Sequence, residues 1–228
     1  MDIMNLKVGV IGAGAMAQAI TLQAVKNGFE VMVSNTRGPE SLELLVRTLE
    51  CKAGTPEQAI NFGDIVIAAV PLYAIPELPK ALLINKIVVD PLNYFPHRDG
   101  VIQSLKNGEI TTSEFLAENV PGAIIVKAFN SITVEDLRRD ARPKGAINRR
   151  AIPIASDNIK AKSTVANFIE SIGFDVVDAG ELSGSWRFER YRPVYCVALK
   201  QDVLKERLFA TNRDTWVADG YWIFNRGV

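Results

Sequence analysis

Lys7-Val8-Gly9-Val10-Ile11-Gly12-Ala13-Gly14-Ala15-Met16-Ala17 decides how the rest of the chain is read. A short apolar run meets a glycine-rich turn, and a helical stretch follows to Asn27-Gly28. A second apolar run, Val31-Met32-Val33, ends in Ser34-Asn35-Thr36-Arg37. Strand, glycine turn, helix and strand in that order form the opening unit of a dinucleotide-binding sheet. Gly12 permits the tight turn, and Gly14 lets the backbone approach a pyrophosphate. Ala17 stands at the usual third glycine and is still small enough for close helix–strand packing. The helix begins with free N–H groups and the positive end of its dipole directed at phosphate.

The tip of the second strand selects the dinucleotide. A carboxylate about 20 residues on accepts from the ribose hydroxyls in an NAD site. Here Ser34 to Gly38 contains no acid, and Arg37 lies 23 residues after Gly14. Ser34, Asn35, Thr36 and a guanidinium suit a 2′-phosphate, which arginine grips with two parallel hydrogen bonds. NADP(H) is therefore the expected cofactor.

Working outward, 228 residues give room for one α/β domain with a small appendage. Lys+Arg and Asp+Glu both number 26, so no global field favours nucleic acid or anionic lipid, and neither is an expected partner. No stretch approaches the ~20 apolar residues of a membrane span. Val8 to Ile20 has the apolarity of a signal-peptide core, but its glycines sit where the nucleotide turn needs them. Cys51 and Cys196 match no metal or redox spacing, and a reducing, cytoplasmic setting is expected.

Further along, Pro39 to Leu49 reads as a helix, and Lys52-Ala53 as part of a short strand. Thr55 caps a brief helix to Asn61. Ile65 to Val70 is a continuous apolar run expected of a strand covered on both faces. Strand C-termini border the ligand crevice in such sheets, which makes Ala69, Val70 and Pro71 candidates for the ribose–nicotinamide wall. Tyr73 to Leu83 is expected as short helical pieces broken by Pro76 and Pro79. Lys86 to Asp90 is the next strand. Pro91 to Gly100 follows, with Asn93 as a hydrogen-bonding candidate and His97, the single histidine, as a weak candidate proton donor. Thr111 caps a helix towards Asn119. Ala123 to Asn130 is another buried strand; Lys127 near its end either reaches solvent or serves a site, and Asn130 lies at the expected mouth of the crevice. Thr133 to Arg150 is polar and basic and reads as a solvated loop or interface. Ala151 to Ala155 is a strand with Pro153 favouring a sheet edge, then come a helix from Asp157 or Asn158 through Ile172 and a strand from Phe174 to Val177.

The pattern is an α/β, doubly wound, mostly parallel Rossmann sheet. Residues 1–180 form the NADP-binding domain, and 181–228 an aromatic-rich extension holding all three tryptophans. Val197 to Leu208 is expected as one amphipathic helix. So aromatic a tail suits packing over the sheet, a dimer partner or a flat ring.

Gly12-Ala13-Gly14-Ala15-Met16-Ala17, Ser34-Asn35-Thr36-Arg37, Asp90-Pro91-Leu92-Asn93-Tyr94, Val126-Lys127-Ala128-Phe129-Asn130 and Asp178-Ala179-Gly180 together resemble the NADPH-dependent deazaflavin (coenzyme F420) reductases and their bacterial relatives. The resemblance implies pyrophosphate contacts at Gly14, Ala15 and Met16. It puts the 2′-phosphate at Ser34, Asn35 and Arg37, and a second ring against Pro71, Asn130 and the region after Gly180. It also implies homodimers that pass a hydride between NADP and a small-molecule deazaflavin. Direct hydride transfer asks little of side chains beyond holding two rings together. A ketone acceptor would need a proton donor such as Lys127, Tyr94 or His97. An imine, carbonyl or chelated-metal reductase and a non-catalytic NADP-sensing module are the alternatives.

Overall fold

Glycine and proline punctuation divides the chain into short apolar strands, and the computed structural model describes residues 5–225 of the result. Strands β1 (Lys7–Ile11), β2 (Glu30–Ser34), β3 (Lys52–Gly54), β4 (Ile65–Ala68), β5 (Ile87–Asp90) and β6 (Ile124–Lys127) form one parallel sheet in the order β3-β2-β1-β4-β5-β6. That order reverses direction between β1 and β4, the switch point at which doubly wound sheets bind their ligands. Strands β7 (Ala151–Ile154) and β8 (Asp175–Asp178) pair in parallel as a second, two-stranded sheet. An antiparallel bridge between Lys127 and Ala155 joins it to β6.

Helices cover both faces. They are α1 (Ala15–Lys26), α2 (Glu43–Leu49), α3 (Pro56–Phe62), α4 (Lys80–Leu83), α5 (Pro96–Asp99), α6 (Gln103–Lys106), α7 (Thr112–Asn119), α8 (Val134–Arg139), α9 (Ile159–Ser171), α10 (Gln201–Ala210) and α11 (Tyr221–Phe224). Successive side chains of a strand point to opposite faces, and β4 shows the consequence. Ile65 and Ile67 join the core beneath α1, α8 and α9, whereas Val66 and Ala68 join the core beneath α3 and α7. Thr55 and Thr111 each form a capping box, with Gln58 and Glu114 respectively, so the short α3 and α7 have their first N–H groups satisfied.

The basic stretch from Thr133 to Arg150 keeps Arg138, Arg139, Arg142 and Lys144 exposed, as a solvated segment would, and departs from the sequence reading at its two ends. Thr133 caps α8, which buries Leu137. Arg149 and Arg150 are almost fully buried: Arg149 pairs with Asp175 at 2.6 Å, and Arg150 with Asp136 and Asp140 at 2.9 and 3.1 Å. Charge density suggested solvent, but Arg149 meets an acid from β8 and Arg150 meets two from the same stretch. The tail differs too. Residues 182–188 wind as 3-10 turns, and the expected helix starts at Gln201, after an extended Lys200, rather than at Val197. Phe188, Val194, Val197, Leu204 and Leu208 pack against Ala151, Ala155 and Val177 of the small sheet.

Candidate functional site

The turn after β1 is shaped by what its glycines omit. Gly12 has φ +109°, and a Cβ there would stand 2.2 Å from the Ala69 carbonyl oxygen. The turn therefore presses directly on the end of β4, and only glycine allows it. Gly14 has an ordinary φ of −73° as the N-cap of α1. A Cβ on it would meet nothing within 4 Å. No side chain caps α1 and no acid lies in its first turn. Gly14 and Ala15 are exposed, Met16 is half-buried, and Ala17 is fully buried beneath them. The result is an open, positively polarised cradle with the character of a pyrophosphate site. The sequence reading missed Gly9, whose Cβ would lie 2.1 Å from the Ala59 carbonyl oxygen. This glycine lets α3 lie close on β1.

The tip of β2 is ordered from below. Ser34 is fully buried, and its hydroxyl donates to the Val10 carbonyl at 2.9 Å. It holds the strand tip and is turned away from the phosphate position the resemblance gave it. Asn35 organises the loop: its Nδ2 donates to Ser41 Oγ at 2.9 Å, and its Oδ1 accepts from the Arg37 N–H at 3.0 Å. Ser41 Oγ also donates to the Gly38 carbonyl at 2.7 Å. Ser41 had no place in the sequence reading, since its role depends on a loop closing back on itself. Thr36 and Arg37 are exposed above this frame. No ion pair among the described residues occupies the Arg37 guanidinium.

Across the switch point, Ala69, Val70 and Pro71 are half-buried at the end of β4, beside the glycine turn. The ends of β5 and β6 are built differently. Lys127 has no exposed surface; its ammonium donates to the Leu92 carbonyl at 2.6 Å and Thr112 Oγ1 at 2.8 Å, and pairs with Asp90 at 3.3 Å. Asp90, also fully buried, accepts from Ser113 Oγ at 2.6 Å and the Leu92 N–H at 2.8 Å. Thr112 in turn donates through its N–H and hydroxyl to Glu189, at 2.7 and 2.6 Å. Lys127 therefore neither reaches solvent nor opens into the crevice. It ties β5, β6 and α7 together, because an unpaired buried ammonium would be very costly.

Phe129 adopts a left-handed φ of +64°, a costly conformation for a bulky residue, and turns the chain after β6. Asn130 follows it at 1% exposure, its Nδ2 donating to the Phe188 carbonyl at 2.9 Å. It stands behind the wall of the crevice and anchors the C-terminal segment, which corrects its expected place at the mouth. Asn93 is half-buried and donates to the Asn130 carbonyl at 2.8 Å. Tyr94 donates its hydroxyl proton to the Gly100 carbonyl at 3.0 Å and accepts from the Ile102 N–H at 2.9 Å, so it closes its own loop. His97 is exposed, edge-on to Phe95 with ring centroids 5.8 Å apart. The three candidate proton donors do not converge.

Both cysteines are free. Burial pushes the Cys51 thiol up to about 11 and the Cys196 thiol up to about 12, so neither is poised as a thiolate. No cluster of His, Cys, Asp and Glu among the described residues could hold a metal ion. No helix among them is long and apolar enough to cross a membrane. Beyond Asn93 and Tyr94 a cavity of about 300 Å³ is walled by Trp186, Arg192, Arg213 and Trp216.

Sheet order, open glycine turn and polar second-strand loop define a doubly wound dinucleotide-binding protein. Residues 7–94 match the family model described as NADP oxidoreductase, coenzyme F420-dependent. A hypothetical protein from Sinorhizobium meliloti has a similar crystal structure, with 30% identity and a TM-score of 0.75, over 86% of this chain and 95% of that one. A protein described as an F420-dependent NADP reductase from Arthrobacter shares the fold at 21% identity and a TM-score of 0.65, over 80% of this chain and 88% of that one. The metalloreductase STEAP3 of Rattus norvegicus is 29% identical over 185 residues, which are 80% of this chain and 36% of that protein. The chain thus spans about a third of the length of the curated relatives it matches. Residues 7–94, which hold strands β1 to β5, are thus similar to the coenzyme F420-dependent NADP oxidoreductases.

Proposed function

We propose that the protein transfers a hydride between NADP(H) and a planar, deazaflavin-like acceptor. The cradle fits the cofactor: Gly14 leaves open space beside the uncapped start of α1, and Arg37 stands exposed at the tip of β2. Gly12, Gly14, Ala15 and Met16 would hold the pyrophosphate, Asn35, Thr36 and Arg37 the 2′-phosphate, and Ala69, Val70 and Pro71 the ribose–nicotinamide edge. NADP(H) held there would supply the hydride chemistry, and reduction of the acceptor would take up one hydride from NADPH and one proton from solvent. The chain's part is to hold two rings in contact and to keep water from between them.

The observation that carries the choice of acceptor is the internal commitment of Lys127 and Tyr94 to the fold. An imine or carbonyl needs a proton placed on nitrogen or oxygen by a positioned group, and the hydrogen bonds of these two residues leave neither free to supply one. The test is consumption of NADPH by the pure protein, read by nicotinamide absorbance, with coenzyme F420 and then with flavins. No oxidation with any ring acceptor, alongside turnover of an imine, would overturn the reading. We place this activity in a reducing, cytoplasmic setting and in a homodimer; light scattering at assay concentration tests the dimer.

A further inference from the structure

The cavity beyond Asn93 has a wall that is unusual in both charge and aromatic content. Lys106, Arg190, Arg192 and Arg213 line it, with Glu189 as the single acid. Arg190 is neutralised by Asp219 at 2.5 Å. Glu189 is committed to Thr112. Arg192 is buried and donates to two carbonyls, those of Arg213 and Thr215, each at 2.7 Å. Arg213 reaches only the Gly108 carbonyl at 3.3 Å. No ion pair among the described residues involves Lys106, Arg192 or Arg213, so the lining sets three cations outside any ion pair against the Glu189 carboxylate, with Asp214 acting on Arg192 from outside the lining.

The aromatics hold the two arginines in place. The Arg192 and Arg213 guanidinia lie 5.0 and 4.9 Å from the Trp186 ring centroid. Arg192 also lies 4.4 Å from the centroid of Trp216, which is 65% exposed. Arginine over a ring is favourable but leaves the guanidinium edge free to donate. Burial lowers the pKa of Arg192 from the ordinary arginine value; Glu189 and Asp214 work against that shift, and Arg213 adds to it. A site that gathers cations at this cost, lined by flat rings, matches a flat anion.

We propose that this cavity anchors the acceptor, and that the acceptor is a planar aromatic molecule carrying a carboxylate or phosphate, gripped by Arg192 and Arg213. The proposal rests on the hydride-transfer reading, because Asn93 and Tyr94 join the cavity to the end of β5. Flavin mononucleotide and riboflavin are suitable probes, since they share one ring and differ in a phosphate. Each is titrated calorimetrically into the full chain saturated with NADP⁺. The mononucleotide is expected to bind at least about tenfold more tightly, as one charged hydrogen bond allows, and added salt should shrink the difference. Arg213→Gln should erase the difference while leaving NADP⁺ affinity unchanged. Trp216→Leu should weaken both flavins alike. Equal affinities in the wild type, a preference that survives Arg213→Gln, or no binding of either flavin would overturn the proposal. If the mononucleotide binds as expected and NADPH is not oxidised, the hydride-transfer reading fails while the anionic cavity stands.

Discussion

The two halves of the strand edge are made by opposite means. Around β1, β2 and β4 the cleft is formed by main chain and by missing atoms: a glycine pressed on Ala69, a second glycine facing empty space, and a helix start with no cap. Around β5 and β6 it is formed by side chains that satisfy one another, from Asp90 through Lys127 and Thr112 to Glu189. Main-chain sites need only spacing along the chain. A buried polar network needs partners brought from far away; Thr112 and Glu189 are 77 residues apart. The first half should therefore tolerate changes of charge and resist added volume, and the second should do the reverse.

The largest expected effect tests that contrast directly. Lys127→Met leaves Asp90 buried without its cation and should cost about 3–5 kcal/mol of stability by urea unfolding. Adding Asp90→Asn should recover part of the loss, because the uncompensated charge is then gone. A single variant within 1 kcal/mol of wild type would show that the network holds nothing together. On the other side, Gly12→Ala should cost about 2–4 kcal/mol, combining a left-handed backbone with a Cβ driven into the Ala69 carbonyl. Gly14→Ala is its control: stability should hold within about 0.5 kcal/mol, while NADPH affinity falls at least about tenfold. If both glycine variants lose stability equally, Gly14 belongs to the fold and the cradle is misplaced.

Next in size is the cofactor choice. Arg37→Ala should weaken NADPH binding by about 1.5–3 kcal/mol, the range for a charged hydrogen bond, with little change for NADH. Isothermal titration with both cofactors measures this. Equal losses would mean that Arg37 serves the loop rather than the 2′-phosphate. Ser34→Ala sharpens the same point, since the Ser34 hydroxyl faces Val10: it should lower stability and leave the NADPH-to-NADH ratio unchanged.

These contrasts explain what could be read in advance. The β1–turn–α1–β2 unit was legible because glycine positions, apolar runs and caps are local signals, and Thr55 and Thr111 cap where the pattern placed them. The ends of β5 and β6 were legible only as a list of polar residues. Lys127 could be recognised as a lysine that needs a partner, but not as bonded to Leu92 and Thr112. Asn130 looked like a ligand contact because nothing local shows that Phe188 returns to cover it. Arg192 and Arg213 carry no local signal among the tail's aromatics, because only the fold brings them to Trp186.

The smallest expected effect concerns the basic stretch, whose ends composition misjudged. In Asp136, burial raises the carboxyl pKa, but the Arg150 guanidinium and the Thr133 hydroxyl outweigh it and hold the group below its usual range. A depressed folded pKa contributes stability above the unfolded value, near 3.9, and that contribution is lost as pH falls through the folded one. Because the carboxylate is partly screened by solvent, Asp136→Asn should cost less than about 1 kcal/mol at neutral pH. The variant and wild type should then converge in stability as the pH drops below 4. A gap that persists in acid would mean that Asp136 acts through packing at the α8 cap, and that the buried arginines at 149 and 150 do not depend on its charge.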